Sequence, residues 1–136
     1  AKYEIEFIER SFSFDDYKNN KANKVKLIAQ IEHIDAIRNL DKILSLDGID
    51  GSIIGPYDLS GSIGKPGKYN DSEVLNELNK FKLIASKYKK SIGYHVIEPD
   101  FNLVVDKINE GFNFIAFSLD TIFLGSKCRD EMSKIK

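Results

Sequence analysis

Two carboxylates carry most of the chemistry this sequence offers: Glu32, in Gln30-Ile31-Glu32, and Asp58, in Gly55-Pro56-Tyr57-Asp58-Leu59-Ser60. Each stands where an apolar, strand-like run gives way to a loop. Neighbouring parallel strands lie roughly 4.8 Å apart, so acids at their same ends converge on one point. A hard divalent cation suits such a pair. Magnesium takes one or two protein carboxylates, keeps waters and accepts substrate oxygens. Manganese or cobalt would fit the same donors. Glu32 would equally serve as a helix cap and Asp58 as an ordinary turn acid, and spacing alone does not choose.

Other polar residues fall near the same strand ends. Gln30 shares a face with Glu32 by strand alternation and would hold a ligand oxygen or a water. The Gly55-Pro56 turn would expose successive N–H groups to a carboxylate, or be a plain turn. His33 and His95 are the chain's two histidines. Both stand at or just after strand ends, as candidate proton carriers or as hydrogen-bonded loop histidines. Ser118 and Asp120 read as caps of the last helix, and Tyr94 and Phe117 as core. Residues 55–70 read as one long loop, beyond the usual length of such a connection. Lys65-Pro66-Gly67-Lys68 within it would bring a cation toward an acidic substrate, or stay solvated.

These positions need elements to hold them. Val25, Leu27, Ile28, Ala29 and Ile31 predict a strand over 25–31. Ile34, Ile37, Leu40 and Leu44 recur at helical spacing until Asp47-Gly48. Further strands are expected at 49–54, 91–96 and 112–117. Asn70 and Glu73 fit a capping box for a helix bearing Val74, Leu78, Phe81, Ala85 and Tyr88 on one face. Pro99 opens the next helix, which bears the apolar residues Phe101, Val104, Val105 and Ile108, and Gly111 closes it. A last helix places Leu124, Cys128, Met132 and Ile135 inward. Near-continuous apolar strands alternating with helices mean α/β class and a parallel (βα)4 sheet. That is half of an eight-stranded barrel of about 250 residues, or a small open sheet. In both, ligands bind beyond the strands' C-terminal ends. Residues 24–136 form the patterned domain. Residues 1–23 are poorly patterned: Tyr3, Ile5 and Phe7 alternate as in an edge strand, and Ser13-Phe14-Asp15-Asp16-Tyr17 resembles a helix start.

Composition narrows the function classes. The chain has 136 residues and a net charge of −1, so no basic excess awaits a phosphate backbone. Lys87-Tyr88-Lys89-Lys90 reads as a solvated helix end. The single cysteine, Cys128, allows no internal disulfide, and a cytoplasmic location is the expectation. No apolar run reaches a membrane span of about 20 residues, so neither nucleic acid nor membrane is an expected partner.

Longer stretches carry a family resemblance. Ala29-Gln30-Ile31-Glu32, Asn39-Leu40-Asp41-Lys42-Ile43-Leu44, the run from Gly48 to Gly67, and Gly111 to Thr121 resemble the metal-dependent pyruvate aldolases. These include 2-dehydro-3-deoxyglucarate aldolase and 4-hydroxy-2-oxoheptanedioate aldolase, within the wider phosphoenolpyruvate/pyruvate barrel group. The match covers about residues 24–128 and corresponds to the second half of the family's barrel. It implies a class II lyase that cleaves a 2-keto-4-hydroxy acid to pyruvate and an aldehyde. It implies Glu32 and Asp58 as ligands of magnesium, manganese or cobalt. It further implies that Gln30, Gly55, Pro56, Tyr57 and Ser60 line the pyruvate site, with the N–H groups of Tyr57 and Asp58 on the substrate carboxylate. The family usually has alanine where this chain has Tyr57. Its catalytic histidine and arginine come from earlier strands, and Arg10, Arg38 and Arg129 do not replace them. The resemblance therefore implies a partner for the open sheet edges: a second copy of the chain or an N-terminal half-barrel. The alternative is a non-catalytic binding or assembly module.

Overall fold

Four parallel strands pair in chain order: β1 (Ile28–Ile31), β2 (Gly51–Ile54), β3 (Ser91–Val96) and β4 (Phe114–Phe117). The structure, a computed structural model, describes residues 13–135. The expectations for Tyr3, Ile5, Phe7 and Arg10 lie outside the described residues. Helix α1 (Phe14–Asp16) is capped by Ser13 and continues through a π turn (Tyr17–Lys21) and a 3-10 turn (Ala22–Lys24) into β1. Between β1 and β2 lie α2 (Ile34–Arg38) and α3 (Leu40–Leu44). Then come α4 (Pro56–Ser62) and α5 (Ser72–Ala85) before β3, α6 (Phe101–Asn109) before β4, and α7 (Asp120–Met132).

Register decides which side chains share a face. Ile31 pairs with Ile54 and Ile54 with Tyr94. All three sit in the core with Ile37, Leu40, Leu44, Leu59, Phe81 and Ala85. Burying each such large side chain stabilises the fold by about 1.5–3 kcal/mol. The next row, Gln30, Ile53, Gly93 and Phe114, must point to the other side of the sheet. Gly93 permits that row: a Cβ there would stand 2.7 Å from the Phe114 ring and 2.9 Å from Ile53 Cβ. Phe114 remains 39% exposed, so this face has little cover.

The (βα)4 architecture follows the expectation, with local corrections. Strand β1 starts three residues late, because the Asp50 carboxylate takes the Leu27 N–H (2.9 Å) in place of a ladder partner. Val25 and Leu27 are exposed. The expected strands at 49–54 and 112–117 likewise shorten at their starts. The helix expected to run to Asp47-Gly48 breaks at Asn39 and ends at Leu44. The expected long loop at 55–70 contains α4, which Pro56 opens at its first position. Asp71, not Asn70, caps α5 by accepting the Glu73 N–H (3.0 Å). Helix α6 begins at Phe101 behind its cap Asp100, two residues after the expected opening at Pro99.

Two helices differ more. Val104 is the buried residue of α6, while Phe101, Val105 and Ile108 are exposed. In α7 no residue is buried, and Leu124, Cys128 and Met132 all face outward, as does Ile135 beyond it. Their helical spacing is real, but the described chain supplies no surface to cover them. The Lys87–Lys90 run is also not simply solvated. Lys90 Nζ donates to the carbonyls of Leu44 and Leu46 (both 2.7 Å), closing the C-terminal end of α3. Tyr88 Oη donates to the Asp41 carbonyl (2.9 Å).

Candidate metal and keto-acid site

Glu32 follows β1 directly, and Gly55 follows β2 in the matching position. The ladder continues there through Gly55 N–H to the Ile31 carbonyl (3.0 Å). Glu32 shares the Gln30 side of the sheet, opposite the helix core. Gln30 Nε2 donates to Glu32 Oε1, fixing one carboxylate oxygen. Gly55 lies against the same acid: a Cβ on it would come 3.0 Å from both Glu32 Cγ and Oε1. Glu32 does not cap α2. His33 does, its Nδ1 accepting the Asp35 N–H (3.1 Å).

Helix α4 carries the second acid. Pro56 is its first residue and is buried, while Tyr57 and Asp58 are exposed in the first turn. The first intrahelical bond runs from Leu59 N–H to the Gly55 carbonyl (3.0 Å), so the N–H groups of Tyr57 and Asp58 precede it. Asp58 thus stands at the C-terminal end of β2, one strand from Glu32. Tyr69 is its electrostatic neighbour. Burial first, then the charge of Glu98, then Tyr57 and Asp58, hold the Tyr69 hydroxyl above its ordinary range.

The remaining candidates have other partners. Ser60 is fully buried. Its hydroxyl donates to the Tyr57 carbonyl (2.6 Å) and accepts the Gly67 N–H (2.9 Å), so it fastens α4 to the following turn. Lys65 does not reach out toward a substrate, since it pairs with Asp71 (2.7 Å) and Glu73 (2.9 Å). His95 is the penultimate residue of β3, in the row of Glu32 and Gly55, with Nε2 3.4 Å from the Ser118 carbonyl oxygen. Ser118 does not cap α7. It holds a positive φ of 55° and donates its hydroxyl to the Ile97 carbonyl (2.7 Å), linking the ends of β3 and β4. Asp120 accepts the Thr121 N–H (2.7 Å). Arg38 pairs with Asp35 (2.7 Å) and Arg129 donates to Ser126 Oγ (3.4 Å), so neither is tied to the two acids. Sequence reasoning missed α4. A glycine, a proline and an acid ahead of Leu59 were the available signal.

The donor set can be tested against the expected ion. Among the described residues no cluster of three or more His, Cys, Asp or Glu surrounds one point. Two carboxylates with a neighbouring amide match a hard cation that retains waters, not a soft ion enclosed by protein. The lack of a side chain on Gly55 lets the Glu32 carboxylate lie against the end of β2.

A parallel βα sheet with its polar residues gathered at the strands' C-terminal ends is the working face of a barrel protein, here one half of it. The chain belongs to the HpcH/HpaI aldolase/citrate lyase family, whose pattern matches residues 2–125. It is 30% identical over 122 residues to 2-keto-3-deoxy-L-rhamnonate aldolase of Escherichia coli (strain K12 / DH10B), covering 90% of this chain and 45% of that protein. It superposes with a TM-score of 0.79 on an HpcH/HpaI aldolase from Desulfitobacterium hafniense DCB-2, at 24% identity, over 93% of this chain and 49% of that one. A family protein from Burkholderia cenocepacia J2315 gives the same TM-score at 21% identity, over 88% and 46%. The chain thus spans about half the length of the relatives it matches. Among the described residues no helix is long and apolar enough to cross a membrane.

Proposed function

We infer that this chain supplies the metal- and pyruvate-binding half of a class II aldolase that cleaves a 2-keto-4-hydroxy acid. The observation that carries this reading is the Glu32–Gly55 contact at adjacent strand ends, with Asp58 three residues further on. Glu32 and Asp58 would hold magnesium, manganese or cobalt, and Gln30 would keep the Glu32 carboxylate oriented. When bound, the ion supplies Lewis-acid stabilisation of negative charge on the keto oxygen. The N–H groups of Tyr57 and Asp58 would orient the substrate carboxylate, and buried Pro56 fixes the turn that presents them. Cleavage removes the 4-hydroxyl proton, breaks C3–C4 and leaves the electron pair at C3, which then takes a proton to give pyruvate. A proton acceptor and a cationic group for this sequence would come from the remainder of the barrel.

That remainder is part of the reading. Strands β1 and β4 are the two edges of the sheet, and α7 has no buried residue. Such edges call for cover by another half-barrel or a second copy of the chain. The same openness supports the alternative of a non-catalytic assembly module. The deciding measurement is pyruvate release by the intact protein from a panel of 2-keto-3-deoxy acids, with magnesium or manganese. Activity that disappears with a chelator, returns with manganese and falls at least 100-fold in Glu32→Ala is expected. Full activity in Glu32→Ala would reject the assignment, and manganese binding without turnover would leave the assembly module.

A further inference from the structure

A cavity lies at the opposite end of the sheet from Glu32 and Asp58. It measures about 610 Å³ and opens where β1, β3 and β4 begin. Lys26, Lys89 and Lys90 line it, against one carboxylate, Asp50. That carboxylate is already engaged by Lys26 Nζ (2.8 Å) and the Leu27 N–H (2.9 Å), which hold Asp50 below its usual range. The local balance is therefore positive in a chain that is slightly acidic overall.

The polar lining is fixed before any ligand arrives. Asn113 Oδ1 accepts the Ile92 N–H (2.8 Å), which immobilises the amide while leaving Nδ2 as a donor. Lys90 is anchored by two carbonyls at the end of α3 and keeps a third N–H. Ser91 begins β3, and Gly51 beside it allows close approach, since a Cβ on Gly51 would stand 2.8 Å from Ser91 Cβ. Among the described residues, neither Ser91 Oγ, Asn113 Nδ2 nor Lys89 Nζ has a hydrogen-bond or ion-pair partner. A hydroxyl, an amide N–H2 and ammonium groups around one space are the donors that an oxyanion recognises.

We propose that this cavity binds a small phosphoryl oxyanion, as inorganic phosphate or the phosphate of a short monoester, at the end of the sheet away from the Glu32–Asp58 pair. Lys89 supplies the uncommitted charge, and Ser91 with Asn113 supplies direction. Ile28 and Ile92 give the cavity an apolar side, and its volume exceeds what one phosphate fills. A monoester with a short carbon chain is accordingly the better occupant.

Calorimetry on the intact protein at low ionic strength tests this with inorganic phosphate, glycerol phosphate and chloride as probes. Saturable phosphate binding is expected, tighter for the monoester, with chloride inert at matched ionic strength. Lys89→Ala with Ser91→Ala should weaken it at least 10-fold, and Lys89→Arg should restore it in the Ser91 background to within 3-fold of the Ser91→Ala value. Glu32→Gln should bind phosphate normally, separating this cavity from the proposed metal site. Tighter binding of inorganic phosphate than of the monoester assigns the free ion as the occupant. Non-saturable heats, equal response to chloride, or unchanged affinity in the folded double variant would each overturn the proposal.

Discussion

Gly55 and Glu32 are in direct contact across adjacent strand ends, close enough that a Cβ on Gly55 would sit 3.0 Å from Glu32 Oε1. Gly55 has a φ of −96°, which any residue adopts, so its lack of a side chain answers a need for space and not for backbone freedom. Gly55→Ala should push the Glu32 carboxylate off its Gln30 partner. Because the displaced group is the end of a flexible side chain, the fold should persist. The expected result is about a 10-fold loss of manganese affinity, the scale of disturbed ligand support, with little change in thermal midpoint. Unchanged affinity in calorimetry would show that Glu32 does not hold the ion.

The positions of these two residues were legible because strand alternation and the Gly-Pro step are local signals. Ile31 inward and Glu32 outward follow from period two. Helix α4 was not legible as a helix, since a seven-residue segment starting at proline gives too short a pattern for helical periodicity. The α7 error has a different origin. Leu124, Cys128 and Met132 do share a helical face, but periodicity states only that a face is apolar. Whether anything covers it depends on chain that is distant or belongs to another unit. Ser60 entered as a site residue through the family resemblance, and its two bonds within 57–67 could not be read from sequence.

Ser52 Oγ is the one buried side-chain polar atom without a partner among the described residues. It lies in β2 on the helix side, paired in register with Ala29 and Ile92. An unsatisfied buried hydroxyl costs about 1–3 kcal/mol. Ser52→Ala removes that cost and little volume. The urea midpoint should rise by an amount equivalent to about 1 kcal/mol. A lower midpoint would mean that the hydroxyl has a bound water to satisfy it.

Lys65 joins the turn after α4 to the start of α5 through Asp71 and Glu73. Hydrogen bonding to Lys65, then to the Glu73 N–H, lowers the Asp71 carboxyl from its ordinary 3.8. Hydrogen bonding to Asp71, then Glu73, raises Lys65 from 10.5. The depressed acid contributes stability that is present above pH 3.8 and lost as pH falls through its lower folded value. The raised base contributes stability that is present below pH 10.5 and lost as pH rises through its higher folded value. Lys65→Met should flatten both flanks of the stability profile while leaving the Asp71 cap of α5. Chemical denaturation on both flanks, below pH 5 and above pH 9, would show it, and parallel profiles for the two proteins would count against the linkage. Both side chains are still about a third exposed, so solvent screening should keep the effect at neutral pH small.

Helix α7 tests how far the described chain is self-sufficient. No residue of it is buried, and its ring contact is Phe123 edge-on to Phe117, with centroids 5.0 Å apart. Such a pair is worth about 0.5–1.5 kcal/mol beyond its buried area. Removing residues 120–136 from this chain alone should therefore cost less than Phe81→Ala, which empties a fully buried site at about 3–5 kcal/mol. If a second half-barrel covers the sheet as proposed, the order should reverse in the intact protein, because the apolar residues Leu124, Met132 and Ile135 then gain a surface to bury against. Paired denaturation curves on the isolated chain and on the intact protein make the comparison. If the truncation costs the isolated chain more than Phe81→Ala does, α7 packs on its own half-barrel and the case for an external cover fails.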